Sequence, residues 1–278
     1  MRLFAVLFVM LALLPDLSTS AQAQAKSDPA PSRCLAIAQN LEERGLPVLL
    51  ASLAAPVPVQ ANAPEVTITY AGHSTYVIET PAGVRIATDY SGWHGNNPLP
   101  RVVTMNRAHE THYTMSPDPG IEHVLAGWNT EGTGPAEHRL VVDDVYIRNV
   151  PTDIRIGDGM MKDGNSIFIF EVANLCIGHL GHLHHRLEDA HYGAIGRLDV
   201  LMVPVDGGLT LSHDGMAEIV RRLQSSVVLP MHRRFTTIDR FLSRVQGDFA
   251  LEFLKEPVIK VSVRSLPRRP TIMVPPNL

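Results

Sequence analysis

The sequence predicts a mixed α/β (α+β) fold of two β-sheets with helices packed outside them. Three observations carry this. From Glu65 onward short alternating apolar runs dominate, as half-buried strands require. Two later runs, at 199–205 and 227–230, are Val-rich and largely apolar, as strands buried on both faces are. Between them Met216, Ile219, Val220 and Leu223 fall on one helical face, with Ser212 placed to cap it. Strands followed by a strand–helix–strand unit describe two sheets whose outer faces need helices.

The elements follow in order. Arg2, an apolar run at 3–14, and the small-residue patterns Ala21-Gln22-Ala23 and Ala23-Gln24-Ala25 read as a secretory signal over 1–25. The run is shorter than the ~20 residues of a membrane span, so the expected product is an exported protein, periplasmic or secreted; a retained anchor is the alternative. Residues 26–64 are read as an N-terminal helix and a Pro/Ala-rich linker, with Ser32 capping a helix that carries Cys34, Ile37, Ala38 and Leu41. The main domain is expected over 65–278. Its first strands fall at 66–70, 75–79 and 84–87, the last pair joined by Pro81-Ala82-Gly83. Further strands are expected at 101–104, 145–150, 166–172 and 175–178, and a final one at 258–263. The Pro-rich tail is expected to cover a sheet edge or stay loose.

Composition narrows the function classes. A net charge of −4 offers no electrostatic footprint for nucleic acid. The thirteen histidines crowd around 109–112 and 179–191. Cys34 and Cys176 are the only cysteines. A disulfide between them would contribute about 4 kcal/mol; the plainer reading is a buried strand thiol at Cys176 and a helix-packed Cys34. With no C-x-x-C pair, a metal would have to be held by nitrogen and oxygen.

The most informative stretch is Arg107-Ala108-His109-Glu110-Thr111-His112. It resembles the His-x-His-x-Asp-His run of the metallo-β-lactamase-fold hydrolases, with Arg107 at the first histidine and Thr111 at the aspartate. Three more segments match in order. Ala71-Gly72-His73-Ser74-Thr75 with Thr88-Asp89 is similar to the opening hairpin of the L-ascorbate-6-phosphate lactonase-like subgroup. The segment from Gly164 to Glu171 leads into His179-Leu180-Gly181-His182, where the family reads His-Leu-Gly-Asp. Val203-Pro204-Val205-Asp206-Gly207-Gly208 precedes His232, which falls on the last family ligand. The family's remaining histidine has no counterpart near Val150-Pro151, where Asp153 is the one substitute in view. The resemblance implies a four-layer αββα sandwich and a metal-dependent hydrolase acting on a small-molecule substrate.

The departures reshape the expected site. Arginine has only donors and cannot bind a cation, and Thr111 is a poor zinc ligand beside a carboxylate. His182 can ligate one metal but cannot bridge two. The expectation is therefore one divalent ion, zinc first with iron, manganese and copper left open. His112, His182 and His232 would hold it, with His109 as a fourth candidate. Arg107 would replace the lost positive charge and meet an anionic substrate group, while Asp89 and His73 would support the ligands. Duller readings stand beside these: His73 and Asp89 as ties of the hairpin, His179 as a satisfied core residue, and Arg107 as an ion-pair partner of Glu110 or Asp89. A non-hydrolytic binding protein on a decayed scaffold, or a redox metal site, is the rival function.

Overall fold

Alternation builds the first sheet. In the computed structural model, which describes residues 32–35 and 63–278, β1 (Val66–Gly72) and β2 (Thr75–Glu79) pair as an antiparallel hairpin. β3 (Arg85–Ala87), β4 (Val102–Met105) and β5 (His123–Ala126) extend the sheet on one side, the last two pairs parallel. On its other edge lies β13 (Val258–Val261), antiparallel to β1, as the late alternating run predicts.

The second sheet has the order β12 (Ala250–Phe253), β14 (Thr271–Val274), β11 (Val227–Met231), β10 (Val200–Pro204), β9 (Leu175–His179), β8 (Gly159–Val172), β7 (Val145–Ile156), β6 (Arg139–Val142). One sequence expectation is corrected here. The Pro-rich tail is neither loose nor an edge cover, because Thr271–Val274 is paired on both sides, parallel to β11 and β12. The prolines sit outside that four-residue strand, so its ladder loses no donor.

Two-residue periodicity sorts the core. Phe168, Phe170, Val200 and Met202 face the first sheet and meet Ile68, Ile78, Ile86 and Val102. Ile167, Ile169, Leu201 and Val203 face the other way, against Ile195, Met216, Ile219, Val220 and Phe241. These belong to α1 (Asp189–Ile195), α2 (His213–Leu223) and α3 (Asp239–Val245). Ser212 caps α2 by accepting a hydrogen bond from the Gly215 amide. Each fully buried aliphatic side chain contributes roughly 1.5–3 kcal/mol. The mixed α/β architecture with two facing sheets is thus as expected. Tyr90 and Ile121, with Tyr113 and Trp128, cover the outer face of the first sheet from loops.

Residues 32–35 form a turn tied to the second sheet, with Ser32 Oγ accepting from the Leu35 amide at 3.2 Å as the expected cap would. Ser32 Oγ donates to Glu171 Oε1 at 2.5 Å, and the Arg33 amide to Oε2 at 2.8 Å. Glu171 is in turn paired with Arg148 at 2.9 Å. Cys34 and Cys176 form a disulfide, with Cα atoms 6.0 Å apart, which corrects the reading of two separate packed thiols. The reason is facing: Cys176 points to the helix side of β9 while Ile177 points between the sheets. The expected signal, the rest of the first helix and the linker lie outside the described residues.

Candidate metal centre

Loops at one end of the sheets deliver the chemistry. His73 occupies the turn between β1 and β2, Asp89 follows β3, and His109 and His112 follow β4. His182, Asp206 and His232 follow β9, β10 and β11. Three of these residues hold left-handed backbone that only glycine adopts without strain: His73 at φ 52°, Asp89 at 43° and His232 at 55°. Such strain persists only where the surroundings enforce it, and it gathers at functional sites. Here the His232 amide donates to the His73 carbonyl at 2.7 Å, which pins two of the turns together.

Two histidines are each backed by a buried carboxylate. Asp89 Oδ2 is 2.7 Å from His112 Nδ1, and its Oδ1 accepts from Asn106 Nδ2 at 2.8 Å. Asn106 Oδ1 accepts from the Ser166 amide at 2.7 Å, so β8 holds the carboxylate through one side chain. Asp206 Oδ2 is 2.9 Å from His232 Nδ1. Its Oδ1 accepts from the amides of Gly208, Leu209 and Thr210. An ionised carboxylate can only accept, so Nδ1 carries the proton in both rings and Nε2 keeps a free lone pair.

Those Nε2 atoms have no partner among the described residues. Nε2 of His73, His112 and His232, and both ring nitrogens of His182, are buried and unsatisfied. Unpaired buried polar atoms are costly, and a cluster of them facing one space calls for a ligand. Ligand nitrogens of His73, His109, His112 and His232 lie within 4.8 Å of one another. For zinc–nitrogen bonds of 2.0–2.1 Å each atom would move inward by less than about 1 Å. The set fits a divalent ion that accepts imidazole.

Electrostatics favour the neutral form of His73, His109, His112 and His182. Burial, then the neighbouring His232, His112 and His109, push His73 down to about 3. Burial and the same kind of crowding push His109 down to about 4, with Arg234 adding to the effect. His182 and His112 are shifted the same way, burial first. Burial works against ionised Asp89 and Asp206, yet their histidine and hydrogen-bond partners hold both below the usual carboxylate range. Neutral imidazoles beside ionised carboxylates are the protonation states that a metal requires.

The predicted quartet of His109, His112, His182 and His232 shares three members with the group of converging nitrogens. His73, expected as a supporting residue, joins the group of converging nitrogens, and His182 stands beside it. The tight turn at 73–74 aims the His73 ring inward, with its centroid 4.3 Å from that of His232. His182 still contacts His112 and His232, both at 4.6 Å between centroids. Asp89 supports His112 as expected. His179 is satisfied, through the Ser74 carbonyl and the Gly181 amide. His184 and His185 are likewise hydrogen-bonded through both ring nitrogens. Asp153 accepts from the Asp163 amide within the β7–β8 hairpin. Arg107 is exposed and its guanidinium has no hydrogen-bond partner among the described residues. Ala108, His109, Arg155, Gly157, His182, His184, Gly208 and Leu209 line the adjoining cleft of about 360 Å³, and Arg107 does not. Sequence reasoning missed the roles of Asp206 and Asn106. An acidic residue directly after an apolar buried strand was the available signal for Asp206.

The sequence family described as the beta-lactamase superfamily domain matches residues 67–232, from the first strand to the last histidine of the cluster. The chain belongs to the metallo-β-lactamase superfamily. Solved structures agree in fold. A candidate Zn-dependent hydrolase of this superfamily from Thermotoga maritima is 23% identical with a TM-score of 0.53, covering 76% of this chain and 98% of that one. A candidate metal-dependent hydrolase from Parabacteroides distasonis is 16% identical with a TM-score of 0.52, covering 66% and 90%. A metallo hydrolase from the archaeon Ignicoccus hospitalis is 20% identical with a TM-score of 0.51, covering 71% and 99%. A search of curated proteins returned no significant match. Within the superfamily fold, this chain carries a histidine-rich group that could hold a metal ion.

Proposed function

We propose that this protein is an exported hydrolase with one divalent metal ion, zinc first, held by His73, His109, His112 and His232. The observation that carries the reading is the convergence of four imidazoles, three of them with buried, unpaired Nε2 atoms and two of those three fixed by Asp89 and Asp206. A carboxylate behind a histidine sets its tautomer and raises its basicity, as metal sites require. When bound, such an ion supplies a Lewis acid and brings the pKa of water to about 7. The chain's own residues orient the ligands, exclude solvent through the buried His182 ring, and open to substrate at the 360 Å³ cleft. The chemistry suits a small ester, lactone, amide or phosphodiester. Export belongs to the same proposal, since a disulfide persists in an oxidising compartment.

A second reading is a binding protein that kept the fold and lost the reaction. Arg107 and Thr111, standing at two ligand positions of the family run, favour it. Metal analysis of the purified mature protein separates the readings. One equivalent of metal, lost in His112→Ala and His232→Ala, with turnover across an ester, lactone and phosphodiester panel, is the expected result. Metal without turnover supports the binding protein, and no stoichiometric metal ends the hydrolase proposal. His73→Ala is expected to weaken metal affinity more than His182→Ala; the reverse order would return the ligand set to His109, His112, His182 and His232.

A further inference from the structure

We propose that Arg155, at the tip of the β7–β8 hairpin, is the residue that selects an anionic substrate, taking a carboxylate or phosphate group in the cleft beside the histidine cluster. This rests on the hydrolase reading for the reaction but not for the binding. Arg155 lines the same cleft as His109 and His182, so one small molecule can span both. Its guanidinium makes no ion pair with a carboxylate among the described residues. Arg85, Arg101 and Arg148, by contrast, are each paired with an acid.

The side chain is also held in place. One terminal nitrogen, Nη2, donates to the carbonyls of Gly208, Leu209 and Thr210 at 3.2, 3.3 and 3.4 Å. The Arg155 amide donates to His184 Nδ1 at 3.0 Å, and His184 Nε2 to the Leu209 carbonyl at 2.7 Å. The amides of 208–210 meanwhile hold Asp206, which holds His232. One three-residue segment therefore fixes the cation on its carbonyl side and a histidine of the metal centre on its amide side. The other guanidinium donors, Nε and Nη1, have no acceptor among the described residues, and a planar fork of donors matches carboxylate and phosphate. Leu209, 41% exposed and in the cleft wall, gives the apolar part of such a substrate a surface. Arg234 adds positive potential near His109.

The test compares Arg155→Gln and Arg155→Lys with wild type, using 4-nitrophenyl acetate and the mono-4-nitrophenyl ester of succinic acid. The glutamine variant is expected to raise KM for the anionic ester about 10- to 100-fold, the loss of a charge-assisted hydrogen bond. KM for the neutral ester and the metal content stay within about twofold, and lysine restores part of the difference. Equal losses on both esters would show that Arg155 only straps the loop, and would overturn the inference. Succinate and inorganic phosphate as competitors tell which anion is preferred. If wild type hydrolyses neither ester, the ester form of the hydrolase proposal fails. The inference is then read from the metal-free protein, where succinate or inorganic phosphate should raise Tm in wild type and not in Arg155→Gln. No shift, or the same shift in both proteins, refutes it.

Discussion

Asp206→Asn is the most revealing single change. The side chain is nearly isosteric and buried. Its retained oxygen can still accept from the Gly208, Leu209 and Thr210 amides, which the wild-type Oδ1 meets at 2.9, 2.5 and 3.0 Å. The new amide nitrogen replaces Oδ2, which meets Thr210 Oγ1 at 2.5 Å and His232 Nδ1 at 2.9 Å. The threonine hydroxyl can rotate to accept instead of donate. His232 has no such freedom. Facing a donor, its Nδ1 must give up the proton, which moves to Nε2 and occupies the lone pair aimed at the metal centre. One charged hydrogen bond is lost, so the metal-free protein should be destabilised by roughly 1.5–3 kcal/mol. Metal affinity should fall by roughly 10- to 100-fold, the cost seen when such partners are removed. That is about 1.4–2.7 kcal/mol less stabilisation by saturating metal, or about 3–10 °C less metal-induced gain in Tm. Thermal unfolding with and without added zinc, together with chelator competition, measures both terms. An Asp206→Asn protein that binds zinc as tightly as wild type would refute the tautomer argument.

Three further outcomes are expected. His73 and His109 titrate in the folded protein near 3 and 4, below the ordinary histidine value. The unfolded chain therefore binds more protons below about pH 6.5, and metal-free stability should decline from there as pH falls. In the folded protein, proton competition for metal at these two rings should begin only near pH 4 to 5. Zinc titrations at pH 7, 5.5 and 4 test this, and a loss of affinity already between 7 and 5.5 would count against it. Breaking the Cys34–Cys176 bond, which closes a sequence separation of 142 residues, should cost about 5 kcal/mol; unfolding in denaturant with and without reductant reads it. Gly181 has φ +61°, and an added Cβ would lie 2.4 Å from Asn106 Nδ2 and 2.5 Å from Asn165 Oδ1. Gly181→Ala should therefore cost about 2–4 kcal/mol in a chemical-denaturation series and displace His182.

Much of the scaffold was legible because strand periodicity is local information. The hairpin at 66–79, the paired buried strands around 200–204 and 227–231, and the Ser212-capped helix each announce themselves within a dozen residues. Four short strands, β5, β6, β12 and β14, did not. Thr271–Val274 reads as a fragment between prolines, and only its two parallel neighbours make it a strand. The site was legible in part for a similar reason. His109, His112, His182 and His232 stand in recognisable runs, whereas nothing in the run around Asp206 gives that residue a role. Its function exists only because β10 and β11 lie side by side, which sets its carboxylate against His232.

The sequence alone determined the superfamily, the mixed α/β architecture, the histidine content of the centre and the loss of ligand-capable residues at Arg107 and Thr111. Only the tertiary structure decided which nitrogens converge, that His73 lies in the closest group, that two carboxylates set the tautomers, and that the cation lining the cleft is Arg155. The physical reason is that residue type and spacing are written along the chain, while the direction of a ring is not. That direction here depends on left-handed turns at His73, Asp89 and His232, each held by partners from distant strands.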